Sequence, residues 1–164
     1  MSREFTLGGD GLTLANQAVT LVNINPPAAP TTNLELLRMW ASQSGTATSA
    51  QYRIQHVTQV SAFPTLVSAT PVPLKHGDAT ASIVVGATTG AQGKTGINAS
   101  AEGAGTKTVS WGDNFNNLNG YLWVPTPRET VVAPAGSLSS FSLFLPAAPG
   151  SLTNWATGMN YGEI

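Results

Sequence analysis

Gln51-Tyr52-Arg53-Ile54-Gln55-His56-Val57-Thr58-Gln59-Val60 is the stretch that decides the fold. Tyr52, Ile54, His56, Thr58 and Val60 fall on one side of an extended chain. Gln51, Arg53, Gln55 and Gln59 fall on the other, where Val57 alone is apolar. Successive side chains of a strand point to opposite faces, so this period of two predicts a half-buried strand.

The same pattern recurs outward from there. Trp155, Thr157, Met159 and Tyr161 alternate with Ala156, Gly158 and Asn160 near the C-terminus. Phe141, Leu143 and Leu145 form another one-sided set, and residues 17–24 are apolar enough for a central strand. Residues 33–41 have helix propensity and a possible cap at Asn33, but Leu34, Leu36 and Trp40 also alternate, and the surroundings favour strand.

Turn signals separate these runs. Seventeen glycines and eleven prolines punctuate the chain, a density that suits many short strands. Asp10-Gly11 and Asn119-Gly120 favour the positive φ of tight hairpins. Prolines at 26, 27 and 30, at 125 and 127, and at 146 and 149 mark loops, because proline has no amide to give a ladder. The expected fold is all-β: one antiparallel β-sandwich domain over residues 1–164, of jelly-roll type. Residues 1–10 are expected as an N-terminal arm. Residues 86–105, with six glycines and little apolar content, are expected as a long Gly-rich loop.

Composition narrows the function. The chain has 164 residues, of which 9% are charged, against about 25% in ordinary soluble domains. Seven basic and eight acidic residues leave a net charge of -1, so there is no basic footprint for nucleic acid and no polybasic face for a membrane. No apolar run approaches the roughly 20 residues of a membrane helix, and residues 1–5 have no apolar core of a signal peptide. Without cysteine there is neither disulfide nor thiolate chemistry. A near-neutral surface favours association, so part of it is expected to be hidden in an assembly.

The chemical motifs are weak. Gly90-Ala91-Gln92-Gly93-Lys94-Thr95 imitates a phosphate loop, but the required first glycine would stand at Thr88, and no helix follows. His56 and His76 are the only histidines. His56 reads as a hydrogen-bonded core or interface residue and His76 as part of a turn, with Asp78 nearby but no metal-ligand spacing. No Gly-x-Ser-x-Gly elbow exists, and Glu35, Glu102, Asp113 and Glu129 are too scattered to choose a carboxylate pair. Neither an enzyme, a cofactor nor a metal is expected. Asn98-Ala99-Ser100 is a glycosylation sequon expected to be unused. Trp40, Trp111, Trp123 and Trp155 could stack on sugars but are expected mostly in the core.

Three segments carry a resemblance. They are Leu36-Leu37-Arg38-Met39-Trp40-Ala41-Ser42-Gln43-Ser44-Gly45 leading into Ser49-Ala50-Gln51; Gly96-Ile97-Asn98-Ala99-Ser100-Ala101-Glu102-Gly103 followed by Asn119-Gly120-Tyr121-Leu122-Trp123-Val124-Pro125; and Ala133-Pro134-Ala135-Gly136 with the strands that close the chain. Across residues 34–164 the chain resembles the jelly-roll decoration, or cement, proteins of tailed-bacteriophage capsids. The resemblance implies a non-enzymatic virion protein on the outer capsid surface, made in the host cytoplasm. It implies a homotrimer bridging copies of the major capsid protein, without cofactor, nucleic acid or membrane. No binding residue carries over individually. The expected contacts come instead from the arm, with Phe5 and Leu7 adding to a neighbour's sheet edge, and from the 86–105 loop, with Lys94 and Ile97. The alternatives are a phage tail, spike or receptor-binding domain and a carbohydrate-binding β-sandwich.

Overall fold

The computed structural model describes residues 3–27, 32–81, 84–134, 136 and 139–164. Among them are thirteen strands and no helix. In chain order these are β1 (Arg3–Leu12), β2 (Val19–Ile24), β3 (Leu34–Gln43), β4 (Gln51–Gln59), β5 (Thr65–Ser68), β6 (Val72–Pro73), β7 (Val85–Gly86), β8 (Lys94–Ala101), β9 (Lys107–Asn116), β10 (Tyr121–Trp123), β11 (Val131–Ala133), β12 (Ser140–Leu145) and β13 (Trp155–Glu163).

They form two sheets packed face to face as a β-sandwich. The first runs β10-β3-β13-β1-β6, with β11 also on β3. The second runs β5-β8-β2-β12-β4-β9, with the short β7 parallel to β8 and the other pairs antiparallel. The core lies between them. Phe5, Leu7, Leu36, Met39, Trp155, Met159 and Tyr161 of the first sheet join Val22, Ile24, Ile54, Leu143 and Leu145 of the second. Burial of each such side chain stabilises the fold by roughly 1.5–3 kcal/mol. The long β3 settles the choice between helix and strand at residues 33–41.

Bulges govern which side chains face in. Along β13, Asn160 pairs with Arg38 but Tyr161 pairs with Leu36, so Leu37 is an extra residue in β3. Such an insertion shifts the alternation by one. Leu34 and Leu36 point inward as expected, but beyond the bulge Met39 takes the inward position and Trp40 turns outward. Strict alternation placed Trp40 with the two leucines, and the bulge corrects that. Asp10-Gly11 is likewise a bulge inside β1 and not a hairpin, since Gly9 pairs with Thr157 and Leu12 with Trp155. Asn119-Gly120 turns the chain tightly, Gly120 having φ 70°, but it carries the chain from one sheet to the other.

Two expected contact segments belong to this chain's own sandwich. From Arg3 onward the N-terminal arm is β1, lying between β13 and β6. Phe5 and Leu7 are completely buried opposite Tyr161 and Met159, as part of this chain's own core. Met1 and Ser2 lie outside the described residues. The 86–105 segment contains β8, with Thr95, Ile97 and Ala99 at alternate positions in the interior. Its apolar period of two is sparse because glycine, serine and asparagine fill the remaining positions. Ile97 is therefore core, and Lys94 is the half-buried first residue of β8. Val60, expected on the apolar side, lies past the end of β4 and is 56% exposed.

Candidate functional site

The outer faces of the two sheets differ, and the difference locates the candidate site. On the first sheet, the outward residues of adjacent strands line up by register. Thr6 lies beside Asn160 and Arg38; Gly8 lies beside Gly158 and Trp40; Leu122 follows Trp40 on the next strand. Trp40 lies across the two glycines. A methyl group on Gly158 would overlap its indole, so the close approach requires glycine there. The Arg38 guanidinium stands 5.3 Å from the indole centroid, a cation–π distance. Leu122, Val72 and Val132 are exposed around this floor, Leu122 at 65%. Between Trp40 and Val72 runs an open groove of about 400 Å³, edged by Thr6, Asp10, Thr70 and Thr157. The face is apolar at its centre, with Glu4, Glu35 and Arg38 on it around that centre and Asp10 at the groove edge.

The outer face of the second sheet is closed by the chain itself. Asn23, Val57, Gln59, Ser140 and Ser142 point outward from β2, β4 and β12, yet all are buried. Residues 60–64 cross from β4 toward β5 and lie against Gly90, Gly103 and Gly105. The Gln59 amide donates to the carbonyls of Ser61 and Ala62, at 3.1 and 2.7 Å. The Asn23 amide donates to the Ser142 hydroxyl at 2.7 Å. Glu102 accepts from both the amide and the hydroxyl of Thr20 and pairs with Lys107 at 3.1 Å. Its carboxylate is a tie across the sheet.

The sequence-predicted chemical residues are not brought together. His56 is core, stacked on Trp111, whereas His76 sits in an exposed turn after β6. Among the described residues no group of three or more His, Asp or Glu could hold a metal. His56 departs from the expected hydrogen-bonded core histidine, because neither ring nitrogen has a partner. Burial lowers its pKa to about 4. The imitation phosphate loop turns at Gly93 directly into β8, a strand, so no helix terminus faces an anion there. Asn98 of the sequon has φ 50° and donates to the Thr13 carbonyl at 3.0 Å. Of the tryptophans, Trp155 is core, Trp111 and Trp123 pack against it from the edge, and Trp40 alone lies on an outer face.

Sequence reasoning did not single out this outer face. Its signals were Gly8 and Gly158 in the middle of strands, where glycine is otherwise unfavourable by about 0.5–1 kcal/mol. No family model matches the chain, and no curated protein or solved structure is significantly similar to it.

Proposed function

We propose that this is a non-enzymatic structural protein of a virion, a jelly-roll decoration protein that binds the outer face of the major capsid protein and stabilises the shell as a homotrimer. The observation that carries the reading is the order in which the strands wrap. Eight principal strands pair as nested partners: β1 with β13, β2 with β12, β3 with β10, and β4 with β9. The sheets they form, β1-β13-β3-β10 and β2-β12-β4-β9, have the order of a long hairpin rolled into a sandwich. That wrapping supports the jelly-roll assignment, an architecture frequent in viral shells. The strands β5 to β8 are then an insertion that widens one sheet and supplies β6 to the edge of the other.

The bare outer face of the first sheet is the surface we assign to the shell or to trimer partners. It is apolar at its centre, around Trp40 and Leu122, as the middle of a protein interface is. Because the side chains of Phe5, Leu7 and Ile97 are buried in this chain's own core, the contact proposed is this face rather than those segments.

The test is the solution mass by light scattering, followed by binding to empty expanded capsids of the source phage. A mass three times that of the chain, with saturable capsid binding, is expected. A stable monomer that leaves the capsids bare overturns the reading.

The groove beside Trp40 supports a second reading, a saccharide-binding sandwich. An accessible indole bordered by hydroxyls and the Asp10 carboxylate matches the apolar and polar sides of a pyranose. Saccharides that quench tryptophan fluorescence in the native protein, but not in Trp40→Ala, would support it. A flat titration across neutral and acidic glycans would remove it.

A further inference from the structure

A column of aromatic rings crosses the sandwich from the middle of one sheet to the edge of the other. Phe141 of β12 stacks on His56 of β4, with centroids 5.7 Å apart. His56 stacks on Trp111 of β9 at 4.2 Å, and Trp111 on Trp123 of β10 at 4.4 Å. The last contact joins edge strands of opposite sheets. It closes that side of the sandwich.

His56 is 1% exposed, and both of its ring nitrogens are buried without a partner. Among the described residues, no charge on the strands around it is placed to compensate a proton there. The residues opposite His56 are Trp111 on β9 and Leu143 on β12. On its own strand the nearest ionisable group is Arg53, which is exposed and opposite Asn114. On β9, Lys107 is tied to Glu102 and Asp113 is exposed opposite Ile54. β12 has no ionisable side chain, and β10 contributes only the Tyr121 phenol, whose pKa burial raises. Stacking on Trp111 would attract an imidazolium, but two N–H donors without acceptors would remain in the core.

Two of the strands in this column lie at sheet edges. β9 pairs within its sheet with β4 alone, and Ser110 is an extra residue in it, because Trp111 pairs with His56 and Val109 with Val57. β10 has three residues and pairs within its sheet with β3 alone; Phe115 and Tyr121, with ring centroids 5.8 Å apart, are a second contact between β9 and β10. We propose that His56 is an acid-sensitive latch, and that its protonation parts the Trp111–Trp123 contact and opens the β9–β10 side of the sandwich.

The sign follows from burial. The folded pKa lies near 4, below the ordinary value of 6.5, so the closed state binds the proton more weakly than the open one. Closure is therefore fully stable above about pH 6.5 and loses stability as pH falls toward 4. The inference rests on packing and stands independently of the shell role.

The experiment is hydrogen exchange from pH 7.5 to 4, corrected for intrinsic rates, with tryptophan fluorescence in parallel. Protection in β9 and β10 should fall about five- to sevenfold per pH unit below 6.5, reaching roughly 150-fold near pH 4. Amides of β3 and β13 should keep their protection, and emission should shift red. His56→Phe, which preserves a stacked ring, should abolish the response. The same acid response in His56→Phe, a uniform loss across both sheets, or no loss down to pH 4 would each overturn the proposal. Should that variant fail to fold, the native His56 ring decides by NMR. Protonation near pH 6.5 with β9 amides unmoved refutes the latch, and protonation only together with opening supports it.

Discussion

The two sheets of this sandwich treat their outer faces in opposite ways. The second sheet is covered by its own chain: residues 60–64 cross it, and most polar groups beneath are buried and hydrogen-bonded, Asn23 Oδ1 excepted. The first sheet is uncovered and carries Trp40, Leu122, Val72 and Val132 on a glycine floor. Polar groups can be buried cheaply only when they are paired. The covered face therefore required a matched cover built from the chain. The first sheet instead leaves the apolar side chains at the centre of its outer face exposed to solvent. Under the assembly proposed above, the uncovered face is the side left for a contact.

Breaking the cover should have the larger effect. Gly103 has φ 68°, and a side chain there would also run into the carbonyl oxygens of Ala62 and Phe63. Backbone strain costs about 1–3 kcal/mol, and overpacking adds about 1–3 kcal/mol. Gly103→Val should therefore lower the urea midpoint sharply and expose the Gln59 and Ser61 amides to exchange. A midpoint unchanged from wild type would show that the cover contributes little. Next in size is Gly158→Ala on the bare face. There the obstacle is one indole that can swing into solvent, so a loss of about 1–2 kcal/mol is expected. The Trp40 emission should shift red. Retention of both the emission and the midpoint would mean that Trp40 does not rest on Gly158.

Much of this fold was legible in the sequence. The period-two runs marked β4, β12 and β13, the apolar stretch 17–24 marked β2, and the alternation of Leu34 and Leu36 marked β3. What was lost has a physical cause in each case. Bulges at Leu37 and within Asp10-Gly11 change the face of the residues that follow, and no local pattern announces an extra residue. β8 was hidden because its outward positions are small and polar, which reads as loop composition. The sheet pairing that buries Phe5 beside Tyr161 joins opposite ends of the chain, and short-range periodicity carries no information about it. The bare face depends on both failures, since the bulge turns Trp40 outward and the pairing of β1 with β13 aligns the glycines beneath it.

The smallest effect on the folded chain should come from Leu122→Ser, and it is the most informative about the comparison. Leu122 is 65% exposed, next to Trp40 on β10, and its side chain has little burial to lose. Exposed substitutions of this kind usually change stability by less than about 0.5 kcal/mol. The urea midpoint should stay in place. If the bare face is where copies of the chain or the shell dock, the same change removes apolar area from the middle of that contact. Self-association on a sizing column, or retention on capsids, should then weaken by about fivefold or more, since an anchor at the centre of a contact can contribute over 1 kcal/mol. Unchanged association with an unchanged midpoint would detach the bare face from assembly. The groove beside Trp40 would then be left as the reason for its exposure.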